Sequence, residues 1–344
     1  MVELYQSGRY LAEIETLAEE LPASPGRFLV TGAAGLIGSC LTDVLLEAGK
    51  SRDYEITVLG RSEEKLRRRF SGREARLSFA VQDIRQPIRG EFDYILHAAS
   101  NADPRTYSLH PAETLLTNVY GAENVLNYAR THAGTRALLL STFEVYGQTE
   151  AYPITEDTCG LLDFNQVRAC YPQSKRTAEV LARCYGEEYG VDFVIARLSS
   201  IYGPTMQAND SKAHAQFIRK ALTGENIVLK SPGEQRRTYT CVFDAVRALL
   251  KVLFCGQSGE IYNVVNGQAV TSIAELAGTL AALAGTRVVF DLPDEIEQRG
   301  YSKPMDAVLA DEKLRGLGFV PRYSVAEGMA LTLEILREAE NEGK

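Results

Sequence analysis

Tyr171 and Lys175, in Tyr171-Pro172-Gln173-Ser174-Lys175, stand four residues apart. On a helix that spacing puts both side chains on one face, one turn apart. An ammonium held beside a phenol stabilises the phenolate and lowers its pKa from about 10 toward neutrality, which makes the tyrosine a usable general base. A tyrosine at a helix start followed by a surface lysine has the same spacing, so the pair needs support from elsewhere. Upstream, Leu138-Leu139-Leu140-Ser141-Thr142-Phe143-Glu144-Val145-Tyr146-Gly147 reads as a buried strand that ends in hydroxyls and one carboxylate. Open α/β sheets bind ligands at the carboxyl ends of their strands, so Thr142 and Glu144 stand where chemistry is expected.

A third stretch, Thr31-Gly32-Ala33-Ala34-Gly35-Leu36-Ile37-Gly38, follows the apolar run Arg27-Phe28-Leu29-Val30 and opens a helical segment from Ser39 to Gly49. Strand, glycine turn and helix is the setting in which such a loop binds a dinucleotide pyrophosphate. Gly32, Gly35 and Gly38 serve the tight turn, the approach of phosphate to bare backbone and the close packing of helix on strand. The helix start, with Leu36 and Ile37, offers unpaired N–H groups and a positive dipole end.

These residues need a sheet to hold them. Strands are predicted at 27–31, 55–59, 77–81, 93–97, 136–141 and 192–197, and helices at 36–49, 62–70, 111–132 and 173–189. The alternation predicts an α/β fold, a Rossmann-type doubly wound parallel sheet. Leu4, Leu11, Ile14, Leu17 and Leu21, separated by glutamates, predict an amphipathic helix that ends before Pro22 and packs on the rest.

Composition fits an enzyme with a large core. The chain has 344 residues, 45% of them hydrophobic, and a net charge of −8. That balance argues against a nucleic-acid partner. Arg67-Arg68-Arg69 is read as a solvated face. Six cysteines and four histidines show no metal spacing, and the cysteines read as small buried hydrophobes in a reducing compartment. With neither a signal peptide nor a long apolar span, a cytoplasmic protein with no membrane partner is expected.

Taken together, the motifs resemble the extended short-chain dehydrogenase/reductases, in the group of nucleotide-sugar epimerases, dehydratases and decarboxylases. Further marks are Asp83-Ile84, His97-Ala98-Ala99-Ser100, Asn118, Tyr202-Gly203-Pro204 and Arg237, and the likeness runs from Arg27 to about Arg337. It implies a dinucleotide-binding domain of 27–198 plus 238–265, a discontinuous α/β substrate lobe of 199–237 plus 266–344, an N-terminal helical extension of 1–26, and a homodimer. It also implies that Asp83 and Ile84 contact adenine, and that Ala98, Ala99, Ser100 and Asn118 line the nicotinamide and sugar end. Arg237 would clamp the substrate diphosphate, as a guanidinium fork suits phosphate oxygens. Cofactor choice leans to NAD, with NADP open: after the second predicted strand stands Gly60-Arg61 rather than an acid, and Arg61 could pair with a 2′-phosphate or stack on adenine.

The group shares an opening step in which the tyrosine removes the sugar C4 hydroxyl proton, assisted by Thr142, while C4 gives up a hydride. Glu144 is placed to move a proton at C5. Phe143 stands where many sugar 4,6-dehydratases carry an aspartate, and simple 4-epimerases usually lack an acid at Glu144. The resemblance therefore implies a nucleotide-sugar decarboxylase, most like UDP-glucuronate decarboxylases, with 4-epimerisation, 4,6-dehydration or a non-catalytic NAD(P)-binding role as the alternatives. Two departures bear on the sugar. Ser200 stands where the family commonly has asparagine, and Thr205 where many decarboxylases have arginine.

Overall fold

Strands with few polar interruptions suit a sheet covered on both faces. In the computed structural model, which describes residues 4–291 and 306–342, such strands alternate with helices. They are β1 (Gly26–Thr31), β2 (Tyr54–Gly60), β3 (Ser78–Val81), β4 (Tyr94–His97), β5 (Arg136–Thr142) and β6 (Asp192–Leu198). A further strand, Ile261–Val264, completes a seven-stranded sheet in which the order is Ile261–Val264, β6, β5, β4, β1, β2, β3. Every pairing in it is parallel. The order reverses between β1 and β4, and ligands in such sheets lie in the crevice at that point.

Helix α1 (Gly8–Glu19) precedes the first strand, and α2 (Leu36–Ala48), α3 (Glu63–Arg69), α4 (Pro104–Leu109), α5 (Pro111–Thr131) and α6 (Cys170–Tyr189) lie between the strands. Side chains alternate between the two faces of each strand. Val30, Leu96, Leu138 and Val194 join one buried cluster with Val44 and Leu45 of α2. Leu29, Ile95, Leu139 and Ile195 join the other, with Val125 and Leu126 of α5 and Ala182 of α6. Each such side chain, fully buried, contributes about 1.5–3 kcal/mol.

After β6 the chain builds a smaller lobe from β7 (Ser200–Tyr202), α7 (Ala213–Thr223), β8 (Ile227–Leu229) and β9 (Arg236–Cys241). Next, α8 (Val242–Cys255) and β10 (Ile261–Val264, the edge strand noted above) return to the main sheet. The lobe resumes with β11 (Val270–Ser272), α9 (Ile273–Ala284) and β12 (Val288–Phe290), and a C-terminal helix spans Val325–Glu342. β9 lies between β7 and β11 in a three-stranded sheet, and β8 pairs with β12. The part of the expected substrate lobe at 292–305 lies outside the described residues.

The six strands and four helices expected from sequence are present, with α6 starting at Cys170 so that Tyr171 lies in its first turn. β10 was not separately expected; its four residues are too few for a periodic signal. The N-terminal helix packs on other helices, α2, α8 and the C-terminal one. Ser7 caps it, accepting from the Tyr10 amide.

Two expectations are corrected. Arg69 is not part of a solvated face: it is buried against the fully buried Asp43 of α2. Its neighbours Arg67 and Arg68 are exposed and pair with Glu63 and Glu64. Only Cys40 and Cys241 are buried; Cys159, Cys184 and Cys255 are exposed and Cys170 is half-buried. Among the described residues, no helix is long and apolar enough to cross a membrane.

Candidate active site

The glycine turn sits at the switch point of the sheet. Gly32 has φ +65°, a left-handed conformation that favours glycine, and its amide donates to Leu59 O at the end of β2. A Cβ on Gly32 would come within 2.7 Å of Ala98 O, and one on Gly38 within 2.5 Å of Gly32 O. The loop after β4, with Ala98 and Ala99, is therefore packed directly on the turn. Gly35 is the N-cap of α2 and brings no side-chain cap, which leaves the first-turn amides around Leu36 and Ile37 open to an anion. A dinucleotide pyrophosphate fits this arrangement.

Two residues that sequence reading left without a role strap the smaller lobe to this turn. Gln207 Nε2 donates to Ala34 O, and Thr205 Oγ1 donates to Leu36 O at 2.8 Å. Thr205 is thus spent on the backbone of α2.

β5 delivers Thr142 at its last residue and Glu144 in the 3-10 turn that follows. α6 brings Tyr171 and Lys175 beside them. Both are buried. A hydrogen bond with Thr142 and the charge of Arg168 favour the Tyr171 phenolate, but burial, followed by the charge of Glu144, pushes the phenol above its ordinary value. The expected lowering by Lys175 is therefore not a property of this structure. Lys175 Nζ instead donates to Leu140 O at 2.8 Å. Burial holds that amine down to about 8, against the upward pull of Glu179 one turn further along. Glu179 in turn accepts from Ser141 and pairs with Arg197 at 2.6 Å.

Arg168, missed by sequence reading, and Tyr107 and His97, given no separate role by it, complete the site. The Tyr107 ring stacks on Tyr171, with centroids 5.3 Å apart and planes at 13°. Arg168 lies over the Tyr107 ring at 4.6 Å and donates to Glu144 Oε2 at 2.7 Å. Arg168 sits in a short 3-10 turn ahead of α6, outside any helical period; its one sequence signal is a basic residue three positions before the tyrosine. His97, at the end of β4, shares a hydrogen bond with Thr31 at 2.9 Å, and burial holds its imidazole down to about 3, so it is neutral.

The remaining expected residues are placed as follows. Ser100 Oγ donates to Asn118 Oδ1 at 2.7 Å, and Asn118 Nδ2 donates to Ser174 Oγ at 2.9 Å. Ser174 donates to Tyr171 O, so the chain of hydrogen bonds ends on the backbone of the tyrosine. Ile84 is buried. Asp83 pairs with Arg85 at 2.8 Å, and Arg61 pairs with Glu113. Ser200 lies in β7, opposite Tyr239 of β9. Arg237 stands over the Phe143 ring at 5.7 Å, and its buried Nε has no hydrogen-bond partner. An unpaired buried guanidinium N–H beside Phe143 fits an incoming anion such as a diphosphate. Arg236 is exposed.

In chemical terms, a buried phenol with a hydroxyl partner, an adjacent amine and a carboxylate held by an arginine form a proton-transfer site. It lies between an anion cradle on one side and an arginine on the other.

Comparisons with known proteins agree. Residues 28–265 match the family model described as NAD dependent epimerase/dehydratase family. UDP-glucuronic acid decarboxylase 6 of Arabidopsis thaliana is 36% identical over 319 residues, covering 90% of this chain and 89% of that protein. Among solved structures, a dTDP-glucose 4,6-dehydratase of Streptomyces venezuelae with NAD bound aligns with TM-score 0.77 and 29% identity, covering 92% of this chain and 98% of that one. A UDP-glucose 4-epimerase of Thermotoga maritima with UDP-glucose aligns with TM-score 0.76 and 25% identity, covering 90% and 98%.

Proposed function

The chain belongs to the NAD dependent epimerase/dehydratase family, and from that premise we propose that it is a UDP-glucuronate decarboxylase, converting a uronate nucleotide to a pentose nucleotide with no net change in its cofactor. The observation that carries this reading is the Glu144–Arg168 pair set beside Thr142 and Tyr171, with the apolar Phe143 in between. A carboxylate there serves a reaction that needs a proton moved at C5, and an aromatic neighbour offers nothing to a leaving C6 hydroxyl. The 36% identity to a plant UDP-glucuronic acid decarboxylase supports the same choice.

NAD, the family's cofactor, supplies a hydride acceptor when bound, and gives the hydride back at the end of the cycle. We assign its binding to Gly32, Gly35, Leu36, Ile37, Gly38, Arg61, Asp83, Ile84, Ala98, Ala99, Ser100, Asn118, Tyr171 and Lys175. Tyr171 takes the C4 hydroxyl proton through a phenol held by Thr142. Lys175, one turn along α6 and held by Leu140 O, serves the cofactor rather than the phenol. Once C4 is a ketone, the C6 carboxylate is that of a β-keto acid. The C5–C6 bond breaks, carbon dioxide leaves, and the electron pair becomes an enolate across C4 and C5. Glu144, oriented by Arg168, passes a proton from solvent water to C5, and Tyr171 returns its proton to the C4 oxygen as C4 is reduced again. Arg237 and Ser200 hold the substrate phosphates and sugar.

The same reading places residues 27–198 plus 238–265 in the cofactor domain and 199–237 plus 266–344 in the substrate lobe. That division is supported by β10 in the main sheet and by β7 and β11 in the separate one. A homodimer through α5 and α6 is supported by the exposed Leu115, Leu116, Tyr120, Val180 and Tyr189 on these helices. We place the protein in the cytoplasm.

The test is mass spectrometry of products after purified protein meets UDP-glucuronate and NAD. Loss of one carbon dioxide without accumulation of reduced cofactor is expected. A product that retains C6 with C4 inverted would transfer the assignment to an epimerase.

A further inference from the structure

β2 ends at Leu59-Gly60 and Arg61 follows it, so the strand end lacks the acid that commonly meets the cofactor ribose in NAD-selective folds. Left alone, Arg61 would be an open invitation to a 2′-phosphate. It is not left alone. Glu113, in the first turn of α5, reaches across from a different crossover and takes the Arg61 guanidinium in an ion pair. The neighbouring turn after β3 repeats the pattern, with Asp83 holding Arg85 through two hydrogen bonds of 3.0 and 2.8 Å. The two pairs feel one another, Arg61 acting on Asp83 and Glu113 on Arg85. Two acids and two bases therefore alternate around the carboxyl ends of β2 and β3, and their charges sum to zero.

The geometry points to Glu113 as the residue that sets the preference for NAD over NADP. A 2′-phosphate brings about two negative charges. To bind Arg61 it must displace the Glu113 carboxylate and then remain beside both that carboxylate and Asp83, a like-charge cost with nothing to offset it. A ribose hydroxyl carries no such cost. Glu113 thus performs, from the start of α5, the exclusion that an acid at the end of β2 performs elsewhere. The inference concerns the cofactor end of the crevice and holds whatever sugar the other end accepts.

Both side chains are substantially exposed, 55% for Arg61 and 38% for Glu113. A pair of that kind adds little to folding, so Glu113→Gln is expected to fold normally. The experiment is isothermal titration of cofactor-free protein with NAD and with NADP, for the wild type, Glu113→Gln, and Glu113→Gln combined with Arg61→Ala. The wild type should favour NAD by at least about tenfold, as one unopposed charge contact implies. Glu113→Gln should tighten NADP by about tenfold and leave NAD within about twofold. The double variant should lose that gain, because Arg61 is then absent. Overturning results are a Glu113→Gln protein with an unchanged NAD:NADP ratio, a gain for NADP that survives loss of Arg61, or a wild type that binds both cofactors equally.

Discussion

Arg168 Nη2 donates to Glu144 Oε2 at 2.7 Å, and this contact holds the one carboxylate among the described residues that raises the buried Tyr171 phenol. The guanidinium is itself held by its position over Tyr107, whose ring stacks on Tyr171. Arginine, aromatic ring and catalytic phenol therefore form one layered unit. Arg168 is a positioning residue, acting on the reaction through Glu144.

Arg168→Ala should lower kcat by roughly 10²-fold, the range for a displaced acid–base group, with little change in KM for the nucleotide sugar. Arg168→Lys should recover part of the loss, as it keeps the charge without the planar fork. Steady-state kinetics with both variants checks this. A rise in KM at unchanged kcat would mean that Arg168 binds substrate and does not orient Glu144.

Glu144→Gln should separate the two halves of the cycle. Oxidation at C4 needs Tyr171 and Thr142, whereas protonation at C5 needs the acid. In a single turnover the near-ultraviolet absorbance of reduced nicotinamide should rise at the wild-type rate and then decay about 10²-fold more slowly. A variant in which the rise itself disappears would put Glu144 in the first step.

Tyr171→Phe removes the hydroxyl and keeps the ring that packs on Tyr107. Turnover should fall by at least about 10³-fold, while NAD affinity measured by titration stays close to that of the wild type. Appreciable turnover in this variant would remove Tyr171 as the base.

The pH profile follows from Lys175, whose folded value is lowered from 10.5 to about 8 by burial. Its charge, which in the proposed cycle holds the cofactor beside Tyr171, is present below that value and lost above it, so kcat/KM should decline as pH rises through about 8. The contribution to stability runs the other way. Between about pH 8 and 10.5 the unfolded chain keeps the proton that the folded protein has released, so this group's contribution to stability increases with pH across that window. Lys175→Arg, charged throughout, should shift the decline in kcat/KM upward. A decline that stays in place would belong to another group.

Much of this site is legible in the sequence because its parts are local. Gly32 to Gly38 form one turn, Thr142 and Glu144 one strand end, and Tyr171 and Lys175 one helix face. What escapes is contact between segments distant in the chain. Arg168 is close to Glu144 because the 3-10 turn ahead of α6 lies beside the turn that follows β5; Glu113 meets Arg61 only because α5 starts beside the end of β2. The Tyr171 pKa was misjudged for a related reason. Spacing reports that Lys175 is near, but it carries no information on burial, which here outweighs the neighbouring charge. Arg69 was misread in the same way, since a run of three arginines looks solvated until α1 and α2 close over one of them.

That buried arginine supports the last prediction. Asp43 is fully buried and accepts from the hydroxyls of Tyr5 and Tyr10 as well as from Arg69, and Arg73 approaches at 3.9 Å. The cluster joins the N-terminal extension to α2 and α3. Removing one partner of a buried ion pair leaves the other charge without compensation, so Arg69→Met should destabilise the protein by about 3–5 kcal/mol. Replacing both, as Asp43→Leu with Arg69→Met, should be less harmful than the two single losses added together, because neither buried charge of the pair is left without the other, even though the hydroxyls of Tyr5 and Tyr10 lose their acceptor. Urea denaturation of the three variants against the wild type measures these differences. If Arg69→Met loses less than about 1 kcal/mol, water reaches Asp43 once the guanidinium is gone, and the extension is held by the packing of Tyr10, Ile14 and Leu17 instead.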